Sequence, residues 1–149
     1  MQIESLLFQL VKEMDEGYLN GSGCVVKVSF QQFPITVNQA GLPGVVFGQY
    51  DVAARTIALN KFFEKPLKYG RYLKEVRSIL WHELVHGFIC NSAQPVRLGK
   101  YKDGADEGHG PAFRKWERMF ADGLLTMEES SRMADLVAIW TLQQSGLES

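Results

Sequence analysis

Apolar residues recur at spacings of three and four along Ile3, Leu6, Leu7, Leu10, Val11 and Met14, which predicts a helix over residues 1–17 closed near Gly17. After the turn-forming "NGSG", the run "CVVKVSF" alternates as a strand does, with Val26, Val28 and Phe30 on one face, and "PITV" reads as a shorter extended piece. The stretch "GVVFGQYDVAARTIALN" reads as two strands joined near Asp51 to Ala54. From about Arg71 to Cys90 the period becomes helical, and Leu73, Val76, Ile79, Leu80, Val85 and Phe88 or Ile89 leave it apolar on most sides, which reads as a central buried helix. Residues 92–110 hold four glycines and little periodicity, a length of irregular chain that in a compact domain is more often functional than neutral. Pro111 then opens "PAFRKWERMF", with Phe113, Trp116 and Phe120 on a shared face. A last helix is predicted over 126–144, where Thr126 and Glu129 have capping-box spacing and Met133, Leu136, Val137 and Trp140 form a stripe. The expected architecture is α+β, a small, mainly antiparallel sheet packed on the central helix, in one domain over residues 1–149.

Composition narrows the class. A chain of 149 residues that is 46% apolar can close one core. A net charge of −1 excludes a polybasic binder or an acidic tail overall, yet residues 55–118 hold 13 Lys/Arg against seven Asp/Glu, so basic character gathers in the middle of the chain. Two cysteines, Cys24 and Cys90, in no ligand spacing exclude a disulfide framework and a cysteine-rich zinc ribbon. The N-terminal stretch lacks the basic start of a secretory signal, and no apolar run approaches the roughly 18 residues of a membrane span. The expectation is a soluble cytoplasmic protein without a membrane partner.

The chemistry concentrates in "WHELVHGF", Trp81 to Phe88. Residues four apart on a helix lie one turn along and about 40° around the axis, so His82 and His86 can direct their imidazoles at one point. Glu83 lies about 100° round from His82, too far to share that point but near enough to reach a water held there. The H-E-x-x-H spacing works for that reason: the metal polarises the water and the glutamate accepts its proton. A lone histidine on an apolar helix is more often a core residue bonded to a carbonyl. Three ionisable groups buried together are costly without a cation, which favours metal here.

Catalytic zinc takes three protein ligands and keeps one open position. His109 is the remaining histidine, just before the helix that Pro111 opens, and Gly108 and Gly110 on either side permit the backbone turn that would aim it inward. Glu107, Asp106 and Asp103 are rival oxygen ligands from the same segment.

"HELVHGF" followed by "GHGPAFRKW" resembles the SprT-like metalloproteases, the group of the bacterial SprT proteins and the Spartan protease domain of DNA–protein crosslink repair. The likeness spans about residues 20–120, with most of its weight on those two motifs. It implies a zincin-like domain with zinc on His82, His86 and His109, Glu83 as the general base, Phe113 as a packing residue, and a protein substrate that can be DNA-associated or crosslinked to DNA. Two departures stand out: the chain lacks the cysteine-paired C-terminal ribbon of many bacterial members, and 22 residues separate His86 from His109, a long loop for the family.

Three functions fit these residues: a zinc-dependent peptidase, a zinc-binding adaptor without turnover, and a regulatory protease that cuts one partner. Glu83 speaks against the adaptor, since a purely structural site needs no base. Lys61, Lys65, Lys68, Arg71, Lys74 and Arg77 with Arg97, Lys100, Lys102, Arg114, Lys115 and Arg118 are candidates for phosphate contacts, although Glu64, Glu75 and Glu117 interspersed among them also suit an ordinary solvated surface. Tyr50 and Tyr101 are candidate donors to a tetrahedral intermediate on position alone, and a packing or surface role suits them better.

Overall fold

A computed structural model of the chain describes residues 2–37, 40–41, 43–91 and 111–148. Helix α1 (Ile3–Tyr18) leads into strands β1 (Lys27–Gln31), β2 (Thr36–Val37), β3 (Pro43–Gly44), β4 (Gly48–Asp51) and β5 (Thr56–Asn60). A 3-10 turn over Lys61–Phe63 passes to the short helix α2 (Glu64–Lys68), and α3 (Leu73–Asn91) follows. Beyond residues 92–110, α4 (Pro111–Glu117) gives way to a 3-10 segment over Arg118–Gly123, then to α5 (Met127–Glu148). The α+β expectation holds. Residues Asp103, Asp106, Glu107 and His109, with Tyr101 and the basic residues Arg97, Lys100 and Lys102, lie outside the described residues.

The expected sheet needs one correction. Its strand order is β1-β5-β4, with β4 antiparallel to β5 but β1 parallel to it, so the sheet is mixed. Alternation of apolar residues marks a strand and its buried face but carries no direction. The β4–β5 hairpin is legible because Val52 to Arg55 turn the chain back at once, with Asp51 Oδ1 accepting from the Ala54 N–H at 2.9 Å. Strand β1 has no hairpin partner in sequence. The chain leaves it, forms the separate β2–β3 ladder, and returns on the far side of β5, which places β1 beside the strand that runs its own way.

Helix α1 lies against β1, α3 lies against β4 and β5, and the two helices touch each other. Under them Ile57 and Leu59, two apart on the central strand, are wholly buried. Leu7, Val11 and Met14 supply the inner stripe of α1, while Leu6 is left exposed. The α1–β1 turn is fixed by the buried Asp15, whose carboxylate accepts from the Ser22 N–H (3.1 Å), the Ser22 hydroxyl (2.6 Å) and the Gly23 N–H (2.9 Å). Those bonds require the left-handed backbone of Gly21 and Gly23, at φ 71° and 69°.

Helix α3 is the central element that its pattern predicts: Val76, Ile79, Leu80, Trp81, Leu84, Val85 and Ile89 are buried around its circumference. Each such side chain contributes roughly 1.5–3 kcal/mol through removal from water. At the start of α5, Thr126 Oγ1 accepts from the Glu129 N–H at 3.0 Å and Glu129 accepts from the Thr126 N–H at 2.9 Å, so the capping box is made in both directions. The inner stripe of α5 is narrower than expected. Met133, Val137 and Thr141 are buried at steps of four, and Leu136 faces water. Among the described residues no helix is long and apolar enough to cross a membrane.

Two glycines let β4 lie close to α3. A Cβ on Gly48 would stand 3.1 Å from Ile79 Cγ2 and 3.5 Å from Glu83 Cγ, and one on Gly87 would stand 2.6 Å from the Tyr50 ring. Alanine in a helix gains about 1 kcal/mol over glycine, but overpacking a fixed aromatic ring costs about 1–3 kcal/mol. Gly87→Ala is therefore expected to lower the unfolding free energy by about 1–2 kcal/mol, read from denaturant melts. In a Tyr50→Ala background the same change is expected to turn stabilising, because only the propensity gain is left.

Candidate active site

His82 and His86 project from the same face of α3 with ring centroids 4.9 Å apart, their planes at 79°. Both rest on one side chain from α4: the Phe113 centroid is 4.9 Å from His82 and 4.4 Å from His86. Phe113 is fully buried, so the packing expected of it is present and has a specific object, the two imidazoles. The i, i+4 geometry and the shared aromatic platform bring the histidines together before any ligand is considered.

Glu83 is buried, 7% exposed, and its Oε2 lies 3.9 Å from His82 Nε2. Its carboxylate accepts a hydrogen bond from the backbone N–H of Tyr50 in β4. Burial raises its pKa to about 7, against the opposing pull of His82 and that backbone N–H. A carboxyl tuned to that value can accept and return a proton at neutral pH.

Glu117, the last residue of α4, also enters the site. Its Oε2 is 2.7 Å from His82 Nδ1, a charge-assisted hydrogen bond by its length. Burial alone would depress the imidazole pKa of His82, but the bond to Glu117 and the charges of Glu83 and Glu117 outweigh it and hold that pKa above its ordinary value. The 2.7 Å contact to Glu117 governs this outcome over the 3.9 Å approach of Glu83.

Sequence reasoning placed Glu117 among interspersed surface charges. The signal that could have found it is its spacing from Phe113, four residues along α4, which puts a carboxylate on the face that meets the histidines. Tyr50 is the reverse case. Its hydroxyl donates to the Cys24 carbonyl at 2.5 Å and its ring lies over Gly87, so it serves to join β4, α3 and the strand entry. Its phenol is pushed up to about 12, chiefly by burial.

These groups form the floor of a cleft of about 820 Å³. Val45 to Tyr50 of the β4 segment line one wall, Ser78, Ile79, His82, Glu83, His86 and Cys90 of α3 the base, and Leu124, Leu125 and Ser130 the other side. The end of that second wall is pinned by the Leu125 N–H, which donates to Ser78 Oγ at 3.2 Å. Among the described residues strand β4 is the edge of the sheet, and it lines the cleft.

The donor set suits zinc: two imidazoles preset by one helix, with a carboxylate 3.9 Å from the first of them. Among the described residues no group of three His, Cys, Asp or Glu side chains is placed to hold a metal ion, and a third ligand, if it is His109, comes from outside them. Comparison with protein-family models, with curated proteins and with solved structures finds no match to this chain. The functional reading accordingly stands on the geometry of His82, Glu83, His86, Phe113 and Glu117.

The metal-free site makes its own prediction about pH. Glu83 has a folded pKa of about 7 against an ordinary 4.5, so the folded state holds its proton more tightly than the unfolded chain. The resulting stabilisation is complete below the unfolded value and is lost as pH rises through about 7. His82, also raised, acts in the same sense. In the presence of a chelator the melting temperature of the wild type is expected to fall relative to that of Glu83→Gln as pH rises from about 5 to about 8. Melts that stay parallel across that range contradict the assignment.

Proposed function

We propose that this chain is a zinc-dependent metallopeptidase that hydrolyses peptide bonds of protein substrates, with His82, His86 and His109 as the zinc ligands and Glu83 as the general base. The observation that carries the reading is the convergence of the His82 and His86 rings, 4.9 Å apart, with the buried Glu83 carboxylate 3.9 Å from His82 Nε2, on the floor of a cleft. His109 is preferred over Asp103, Asp106 and Glu107 because only Gly110 separates it from Pro111, where α4 begins, and α4 packs on the histidines through Phe113.

When bound, zinc supplies a Lewis acid that polarises a carbonyl and lowers the pKa of water towards ~7. The chain's own residues do the rest. Glu83 takes a proton from the attacking water and returns it to the leaving amine, a role that its elevated pKa suits. The β4 edge offers an extended substrate a strand to pair with, alongside the helix that carries the base. The Tyr50 N–H bond to the Glu83 carboxylate keeps the base against that edge.

The test is cleavage of an unfolded protein by the purified chain. Activity is expected to disappear on chelation and return with zinc; cleavage that survives chelation, or none with zinc restored, contradicts the reading. The same assay with DNA separates two substrate classes. Lys61, Lys65, Lys68 and Arg71 are exposed, and stimulation by DNA selects substrates held on DNA, whereas indifference selects a dedicated protein partner.

A further inference from the structure

We infer that Glu117 is a positioning residue for the metal centre: its carboxylate fixes the His82 ring so that Nε2, and not Nδ1, is presented to the cleft. The inference rests on the assignment of His82 as a ligand made above and adds a residue outside the H-E-x-x-H motif on which that ligand depends.

Among the described residues, Glu117 and Phe113 hold His82 to one orientation. Glu117 Oε2 engages Nδ1 at 2.7 Å. Phe113, one turn before Glu117 on α4, lies against the ring with centroids 4.9 Å apart. The opposite nitrogen, Nε2, is the one that faces Glu83. A neutral imidazole carries one N–H and one lone pair, so a carboxylate on Nδ1 selects the Nδ1–H tautomer and leaves the lone pair on Nε2. A half-turn flip of the ring would put Cδ2 where Nδ1 stands and lose the 2.7 Å bond.

Glu117 is itself held. The indole N–H of Trp81, wholly buried and immediately before His82, donates to the Glu117 carbonyl at 2.8 Å. Consecutive residues of α3 thus grip the backbone and the side chain of the same α4 residue. Trp81 packs in turn against the rings of Tyr18 and Phe120, at 5.3 and 5.7 Å. Outer carboxylates of this kind raise the basicity of a ligating imidazole and fix its direction, and their removal commonly costs about 10–100-fold in metal affinity.

The test uses the full chain with Glu117→Gln and Glu117→Ala, and two readouts. The first is the tautomer of His82 in the metal-free protein, from nitrogen-15 NMR at mildly alkaline pH. The wild type is expected to carry its proton on Nδ1; Glu117→Gln keeps that tautomer, because the amide oxygen still accepts, and Glu117→Ala releases it towards the Nε2–H form. The second is zinc affinity by chelator competition, expected to fall about 10–100-fold in Glu117→Ala and by less in Glu117→Gln. A wild-type His82 protonated on Nε2 overturns the inference, as does zinc binding by Glu117→Ala within about two-fold of wild type. If Glu117→Ala does not fold, the wild-type tautomer decides alone. A wild type that binds no zinc overturns the peptidase reading instead, and the tautomer still decides whether Glu117 orients the ring.

Discussion

Glu83→Gln is expected to reduce peptidase activity by about 10²–10⁴-fold, the range that a general base supplies, while zinc stays bound. The Glu83 carboxylate meets the backbone N–H of Tyr50 and lies, through Oε2, 3.9 Å from His82 Nε2. Glutamine has nearly the same shape, and its amide oxygen can keep the bond to Tyr50, so β4 and α3 remain in register. It cannot accept a proton. The substitution therefore removes chemistry and leaves packing, which is the distinction the measurement needs. Turnover of a protein substrate and metal content, measured on the same preparation, check it; a Gln variant that retains turnover removes Glu83 from the mechanism.

His82→Ala and His86→Ala are expected to lose zinc. Structural zinc sites gain roughly 10–16 kcal/mol on binding, so one of a few ligands carries several kcal/mol and its loss weakens binding by about 10²-fold or more. The two variants should differ in their other effects. His82→Ala leaves the Glu117 carboxylate without its 2.7 Å partner beside a partly buried wall. His86→Ala instead uncovers the Phe113 ring at its closer contact, 4.4 Å. Metal content after dialysis against a weak chelator reads the first effect, and melts of the metal-free variants read the second. Zinc retained at wild-type affinity in either variant contradicts the ligand set. Acid is expected to strip the metal from the wild type as well, because protonated imidazole cannot bind it.

The histidine pair was legible because its spacing is a property of one helix. Nothing beyond α3 has to be known for His82 and His86 to meet, and the apolar residues of that segment already marked it as a buried helix. The capping box of α5 and the β4–β5 hairpin were legible for the same reason, since each closes within a few residues. Contacts between distant segments were less so. Glu117 lies 35 residues from His82, and a carboxylate in a run with Arg114, Lys115 and Arg118 reads as surface until α4 is placed against α3. The parallel pairing of β1 with β5 depends on where the chain re-enters the sheet, which alternation cannot encode. Tyr50 was a candidate donor by position only, with packing the better reading, and its hydroxyl donates to the Cys24 carbonyl. Val26, expected to share a strand face with Val28 and Phe30, is exposed because the strand begins at Lys27, and Val28 enters the core.

The account as a whole depends on a cation held by three imidazoles, and X-ray absorption at the zinc edge of the purified, zinc-loaded protein examines that directly. The predicted spectrum is one zinc per chain with three imidazole nitrogens at about 2.0–2.1 Å and one further light-atom ligand. A chain that takes up no zinc, or a first shell with two imidazoles and a carboxylate pair or a sulfur from Cys90, contradicts it.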